Sequence, residues 1–83
     1  MELRDTIDMM TSPDYKERFR AEFFQLYIRK EKLYDMLEKM AKGTLGFEPK
    51  CSFELLSEQH KAMYKLVNLL EERARIEGID LSM

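Results

Sequence analysis

The sequence has few of the residues that make a small protein rigid or chemically reactive. Its 83 residues include one cysteine, one histidine, two prolines, three glycines and no tryptophan. Because Cys51 has no second cysteine to pair with, a disulfide framework within the chain is excluded, and a lone thiol fits a reducing compartment. The metal-binding spacings CxxC and HxxxH and glycine-rich phosphate loops are also missing. We therefore expect no metal, no cofactor, no catalytic residue and no enzyme.

A basic surplus and a long apolar run are missing as well. The formal net charge is −2, with acids and bases mixed along the chain, which argues against a protein that binds DNA or RNA polymers. No apolar run approaches the roughly 18 residues of a membrane span. The first residues, MELRDTID, carry acids where a signal peptide needs bases. We expect a soluble cytoplasmic protein that does not enter a membrane.

The clearest positive signal is the stretch from Ser12 to Met40, which contains no glycine and only one proline. Ser12, Pro13 and Asp14 form a helix start, because serine caps free amides, proline suits the first helical position and aspartate complements the helix dipole. Apolar residues then recur at three- and four-residue steps: Phe19, Phe23, Leu26, Leu33, Leu37 and Met40. The pattern predicts a helix from Pro13 to about Lys42.

The rest of the chain predicts two further helices and one turn. Residues 1–11 read as a short helix that must dock on the remainder, the alternative being a frayed terminus. Residues 43–51 form a turn after Gly43, the expected left-handed cap. A second long helix runs from about Ser52 to Glu77, with Ser52 or Cys51 as its cap and Gly78 at its end. We predict an all-α single domain, residues 1–83, in which a short N-terminal helix precedes a long antiparallel two-helix hairpin.

The hairpin has more apolar surface than one pair of helices can bury. Phe24 and Ile28 point away from the main apolar stripe of the first long helix, so they predict a second apolar face. A chain of this length without a disulfide is only marginally stable alone. We therefore expect a homo-oligomer, at least a dimer.

Lys30 lies in the middle of the apolar arc, between Phe23 and Leu37. A charge there reaches past its neighbours to water, pairs with another side chain, or binds a ligand. An antiparallel hairpin that turns near residue 46 places Lys30 near Met63, and Arg73 near Glu22, which predicts an ion pair across the helices.

Bases and aromatic residues alternate beside Lys30. Arg18 and Arg29 lie on the same helix as Tyr15 and Tyr27. Aromatic rings with nearby cations suit a stacked base and a phosphate, and the alternative is a core flanked by salt bridges.

Three segments carry a resemblance to a known family. They are DYKERF from Asp14, IRKEKL from Ile28 and RARIEGI from Arg73. The chain resembles small phage proteins of the helical-hairpin group of cyclic-nucleotide sponges, the anti-CBASS and anti-Thoeris hairpin family. The resemblance implies a phage anti-defence protein of the host cytoplasm that binds cyclic di- or trinucleotides without cleaving them, and a hexamer built as a trimer of dimers.

The resemblance also implies pockets between protomers, built from an aromatic residue near the N-terminal segment and a helix lysine. At the position expected for the lysine this chain has Tyr27, with Lys30 one turn later. The candidate ligand-binding residues are Tyr15, Arg18, Tyr27, Arg29 and Lys30. Two other hypotheses stay open: an inhibitor or adaptor that binds a protein through the second apolar face, and a purely structural hairpin.

Overall fold

A computed structural model describes all 83 residues and contains only helices. A 3₁₀ turn at Leu3–Thr6 leads into a short helix α1, Ile7–Met10, and two long helices follow, α2 at Tyr15–Lys42 and α3 at Phe53–Glu77. The predicted all-α fold and element order are confirmed. No helix combines the length and apolarity that crossing a bilayer requires.

The two long helices run antiparallel, as contacts at successive levels show. The Lys16 ammonium near the start of α2 donates to the Gly78 carbonyl just past the end of α3, at 3.4 Å. Nearer the turn of the hairpin, the ring centroids of Tyr34 and His60 are 5.6 Å apart. The predicted hairpin is therefore confirmed.

The start of α2 differs from the prediction by two residues. Asp14 is the cap, since its carboxylate accepts from the Lys16 amide at 2.9 Å. The Ser12 hydroxyl instead accepts from the Asp14 amide at 3.1 Å, so it shapes the turn before the helix. Pro13 consequently precedes the cap and is not the first helical residue.

The other helix ends follow their sequence signals. Ser52 caps α3 by accepting from the Leu55 amide at 3.1 Å, so the alternative cap at Cys51 is wrong. Gly43 and Gly78 end the long helices with φ of 71° and 69°. Both values lie in the left-handed region that glycine reaches without strain, so the predicted glycine caps are confirmed.

The N-terminal segment docks on α2, so the frayed terminus is wrong. Thr6 is fully buried. Its hydroxyl donates to the Leu3 carbonyl at 2.7 Å and accepts from the Gln25 side-chain amide at 2.8 Å. Met9 packs against the main apolar core. The α-helical part is shorter than the predicted helix, because its first turn is 3₁₀.

The core lies toward the open end of the hairpin, away from the turn. Phe24 is its most deeply buried aromatic residue, with 0% of its surface exposed. Met9 from the N-terminal segment and Leu81 from the C-terminal tail pack against this core. The predicted free apolar face is therefore wrong at Phe24, and Ile28 is half-buried. The core cluster consists of Phe19, Phe23, Phe24, Val67, Leu70, Ala74 and Ile79.

Truncating Phe24 should destabilise the fold strongly. We expect Phe24→Ala to lower the free energy of unfolding by about 3–5 kcal/mol, because it leaves a cavity enclosed on every side. Urea denaturation followed by circular dichroism measures the loss. Phe47→Ala is the control, since Phe47 is exposed and its truncation should change stability by less than about 0.5 kcal/mol. Equal stability of the two variants would contradict the burial of Phe24.

Candidate functional site

Lys30 is a buried cation enclosed by two aromatic rings. Only 8% of its surface is exposed. Its ammonium nitrogen lies 4.9 Å from the ring centroid of Tyr27 and 5.6 Å from that of Tyr64. The same nitrogen donates to the Glu31 carboxylate at 2.9 Å. Of the three outcomes considered for this lysine, the structure shows a paired charge.

The sequence analysis did not select Tyr64. The signal was present, because the hairpin register placed Lys30 level with residue 63, one position away. Tyr64 comes from α3 and Tyr27 from α2, so the two rings approach the ammonium from different helices. Each ring presents its electron-rich face, an arrangement that stabilises a desolvated cation. The carboxylate of Glu31 supplies the opposite charge that a buried ammonium requires.

An open groove begins one helical turn beyond Lys30, on the side toward the turn of the hairpin. It has a volume of about 330 Å³. The Tyr34 ring tilts against the His60 imidazole in its wall, with centroids 5.6 Å apart. Hydrogen bonding to the Glu38 carboxylate, together with its negative charge, raises the pKa of Tyr34. The groove is lined by Tyr34, Leu37, Ala41, Phe53, His60 and Lys61, among others.

The groove and the Lys30 cluster form one continuous flank of the hairpin. Tyr34 and Tyr27 follow the same side of α2, and His60 and Tyr64 follow the facing side of α3. The two levels are about 6 Å apart, four residues at the helical rise. We call this flank the aromatic groove. A cation with aromatic rings beside an apolar cleft suits a flat ring that carries a nearby anion.

The five predicted residues do not form one pocket within a chain. Tyr27 and Lys30 lie at the aromatic groove. At about 100° per residue, Arg29, Arg18 and Tyr15 project toward the opposite flank of α2. Arg18 donates to the Ser12 carbonyl at 2.7 Å and so supports the loop before α2. Arg29 is exposed and makes no ion pair, and Tyr15 is exposed.

The predicted ion pair between Glu22 and Arg73 is wrong. Arg73 donates from Nε to Glu77, at 3.0 Å. Its guanidinium also lies over the Phe19 ring, 4.9 Å from the centroid. Glu22 is exposed and unpaired. An acid one turn away on the same helix is the nearer partner, so Arg73 does not need to reach across to α2.

Comparison with known proteins assigns the family. A sequence model described as Sequestin matches residues 13–76. The chain belongs to the Sequestin family. The family name is consistent with sequestration of a ligand. No curated protein and no solved structure matches this chain.

The range matched by the family model includes both levels of the aromatic groove. It includes α2, the turn and nearly all of α3, and it begins after the N-terminal segment. The N-terminal segment, which covers the far side of α2, therefore lies outside the matched range. Histidine, cysteine and acidic side chains nowhere converge in a group of three that could hold a metal ion.

Removing the charge of Lys30 should not weaken the fold. Lys30→Met keeps the volume between Tyr27 and Tyr64, and the freed carboxylate of half-buried Glu31 can turn to water. We expect a free energy of unfolding equal to that of the wild type or up to about 1 kcal/mol higher. Chemical denaturation measures it, with Lys32→Met as the exposed control. A loss of more than about 1 kcal/mol would show that the buried cation stabilises the fold.

Proposed function

We propose that this Sequestin is a phage anti-defence protein that binds cyclic di- or trinucleotide immune signals in the host cytoplasm and sequesters them without cleavage. The family name and the resemblance to cyclic-nucleotide sponges support this function. The observation that carries it is the Lys30 ammonium between the rings of Tyr27 and Tyr64, at the edge of an apolar groove. Cyclic nucleotides combine flat bases with phosphodiester anions, the two features that such a site can bind.

The ligand binds when its phosphate replaces the Glu31 carboxylate as the anion that pairs with Lys30. In the unliganded chain, Lys30 donates to Glu31. A ligand phosphate replaces that carboxylate, so the buried ammonium keeps one negative partner throughout. The Glu31 side chain is half exposed and can turn into water without leaving an unpaired buried charge. The exchange makes Glu31 a competitor that weakens binding and keeps the empty site electrically balanced.

A base occupies the groove beside the phosphate. The walls near Tyr34 and His60 are mostly apolar and carry two tilted rings, so a base can stack there while its edge faces water. Stacking on an aromatic side chain contributes about 1–3 kcal/mol per base and tolerates different bases. The site thus holds a ligand by stacking and one charge contact. We assign no catalytic step to it and propose a binding protein, not an enzyme.

The proposed assembly is a homo-oligomer, a dimer at least and a hexamer as implied by the resemblance. Tyr15, Arg18 and Arg29 lie on the opposite flank of α2 from the aromatic groove. They can therefore contact the ligand only if a neighbouring copy presents that flank to the groove.

Substitutions at the ion pair should change ligand affinity in opposite directions. We expect Lys30→Met to weaken binding of a cyclic di- or trinucleotide by roughly ten- to a hundredfold, because it removes the phosphate partner. Glu31→Gln should strengthen binding by roughly three- to tenfold, because it removes the competing carboxylate. Isothermal titration against a panel of cyclic di- and trinucleotides measures both effects.

The same panel of cyclic nucleotides provides the control and the results that would contradict the proposed function. Lys32→Met removes an exposed lysine from the same helix and should leave affinity unchanged. A ligand should also raise the melting temperature of the wild type in proportion to its occupancy. Folded wild-type protein that binds no member of the panel would refute the proposed function. Equal weakening by Lys30→Met and Lys32→Met would place the phosphate elsewhere.

A further inference from the structure

One flank of α3 carries an apolar stripe that no other part of the chain covers. The stripe contains seven positions that follow one another in steps of three or four residues. Five are apolar, and two are polar, Gln59 and Arg73. All seven positions are exposed. We call this set the α3 stripe; its apolar members are Leu55, Ala62, Leu66, Leu69 and Ile76.

The same helix has a second set with the same spacing, displaced by one residue. It includes Leu56, Met63, Val67, Leu70 and Ala74, which are buried or half-buried in the hairpin. Three- and four-residue steps repeated over several turns are the pattern of a helix that packs lengthwise against another helix. Because one set packs within the hairpin, the pattern predicts a second helical neighbour for the α3 stripe.

The stripe continues onto α2 on the flank opposite the aromatic groove. The helical rotation of about 100° per residue, counted from Lys30, places three apolar residues on that side of α2: Leu33, Met36 and Met40. Each of them is half-buried. An apolar surface that spans both long helices exceeds what scattered exposed side chains create. Packing two such hairpins face to face would form a four-helix arrangement, which buries this surface on both copies.

We propose that a second copy of this chain occupies the α3 stripe, with its α3 running antiparallel to the first. The charges on and beside the stripe favour this partner and this direction. A parallel pair would place Arg73 beside Arg73 of the second copy, and this contact is repulsive.

The antiparallel arrangement removes this repulsion. When the twofold axis passes between the levels of Val67 and Asn68, Leu66 lies opposite Leu69 of the second copy. This arrangement sets Arg73 against the small Ala62, which leaves room for the guanidinium, and it brings Lys65 within reach of Glu72. The surface is therefore complementary to itself in size and charge, a property that a twofold contact requires.

A charge in the stripe should break the assembly, whereas an equally exposed residue elsewhere should tolerate it. Leu69 and Ile7 are each 54% exposed, and only Leu69 belongs to the stripe. We expect Leu69→Lys to reduce the mass of the assembly at least by half in light scattering, with helix content by circular dichroism retained. Ile7→Lys should leave the mass unchanged. A monomeric wild type at micromolar concentration, or a Leu69→Lys variant of unchanged mass, would overturn the proposal.

Cross-linking tests the interface without disrupting it. In a Cys51→Ser background the chain has no thiol, so single cysteines report one contact each. We expect Ala62→Cys and Arg73→Cys proteins, once mixed, to form a mixed disulfide dimer, and neither alone to cross-link. A disulfide between two Ala62→Cys chains would overturn the antiparallel arrangement, since that arrangement places the two positions roughly 16 Å apart. Neither experiment involves the aromatic groove, so failure of the nucleotide proposal would leave this result intact.

Discussion

Burial of α2 on two opposite sides is the constraint on which the rest of the structure depends. One side packs on α3, and the other is covered by the N-terminal segment and the C-terminal tail. Phe24 lies within this double covering and is fully buried. The hydrogen bond from Gln25 to Thr6 attaches the N-terminal segment at 2.8 Å, and Ile79 extends the core beyond the end of α3. A helix this apolar would otherwise expose large aromatic rings to water.

This arrangement leaves two flanks of the hairpin outside the double covering of α2. One flank is the aromatic groove, where Lys30 is desolvated and neutralised by Glu31. The other carries the α3 stripe together with Arg29. The separation gives the proposed ligand site and the proposed contact with a second copy different surfaces. It also explains why Tyr15, Arg18 and Arg29 do not join Lys30 within one chain.

The state of Lys30 illustrates how a charge in an apolar arc can be both stable and available. Its ammonium has a carboxylate partner and two ring faces, and these contacts offset the cost of burying the charge. The carboxylate belongs to the next residue and is partly in water, as the proposed exchange with a ligand anion requires. A fully buried partner from α3 would have held the lysine more firmly and would have closed the site to an anion.

The sequence by itself determined the helices, their glycine caps, the turn and the unusual place of Lys30, because these depend on spacing and on neighbours within a few residues. The hairpin register gave the level of Tyr64 on α3 but not its contact with Lys30. The sequence also could not give Arg73 its partner on α3, since competing contacts of similar energy lie one turn apart. Only the tertiary structure decided that Phe24 is covered, because the covering segments come from both ends of the chain. It also decided which apolar stripe of α3 stays exposed. Two stripes with the same spacing are equivalent in the sequence, and only packing against α2 distinguishes them.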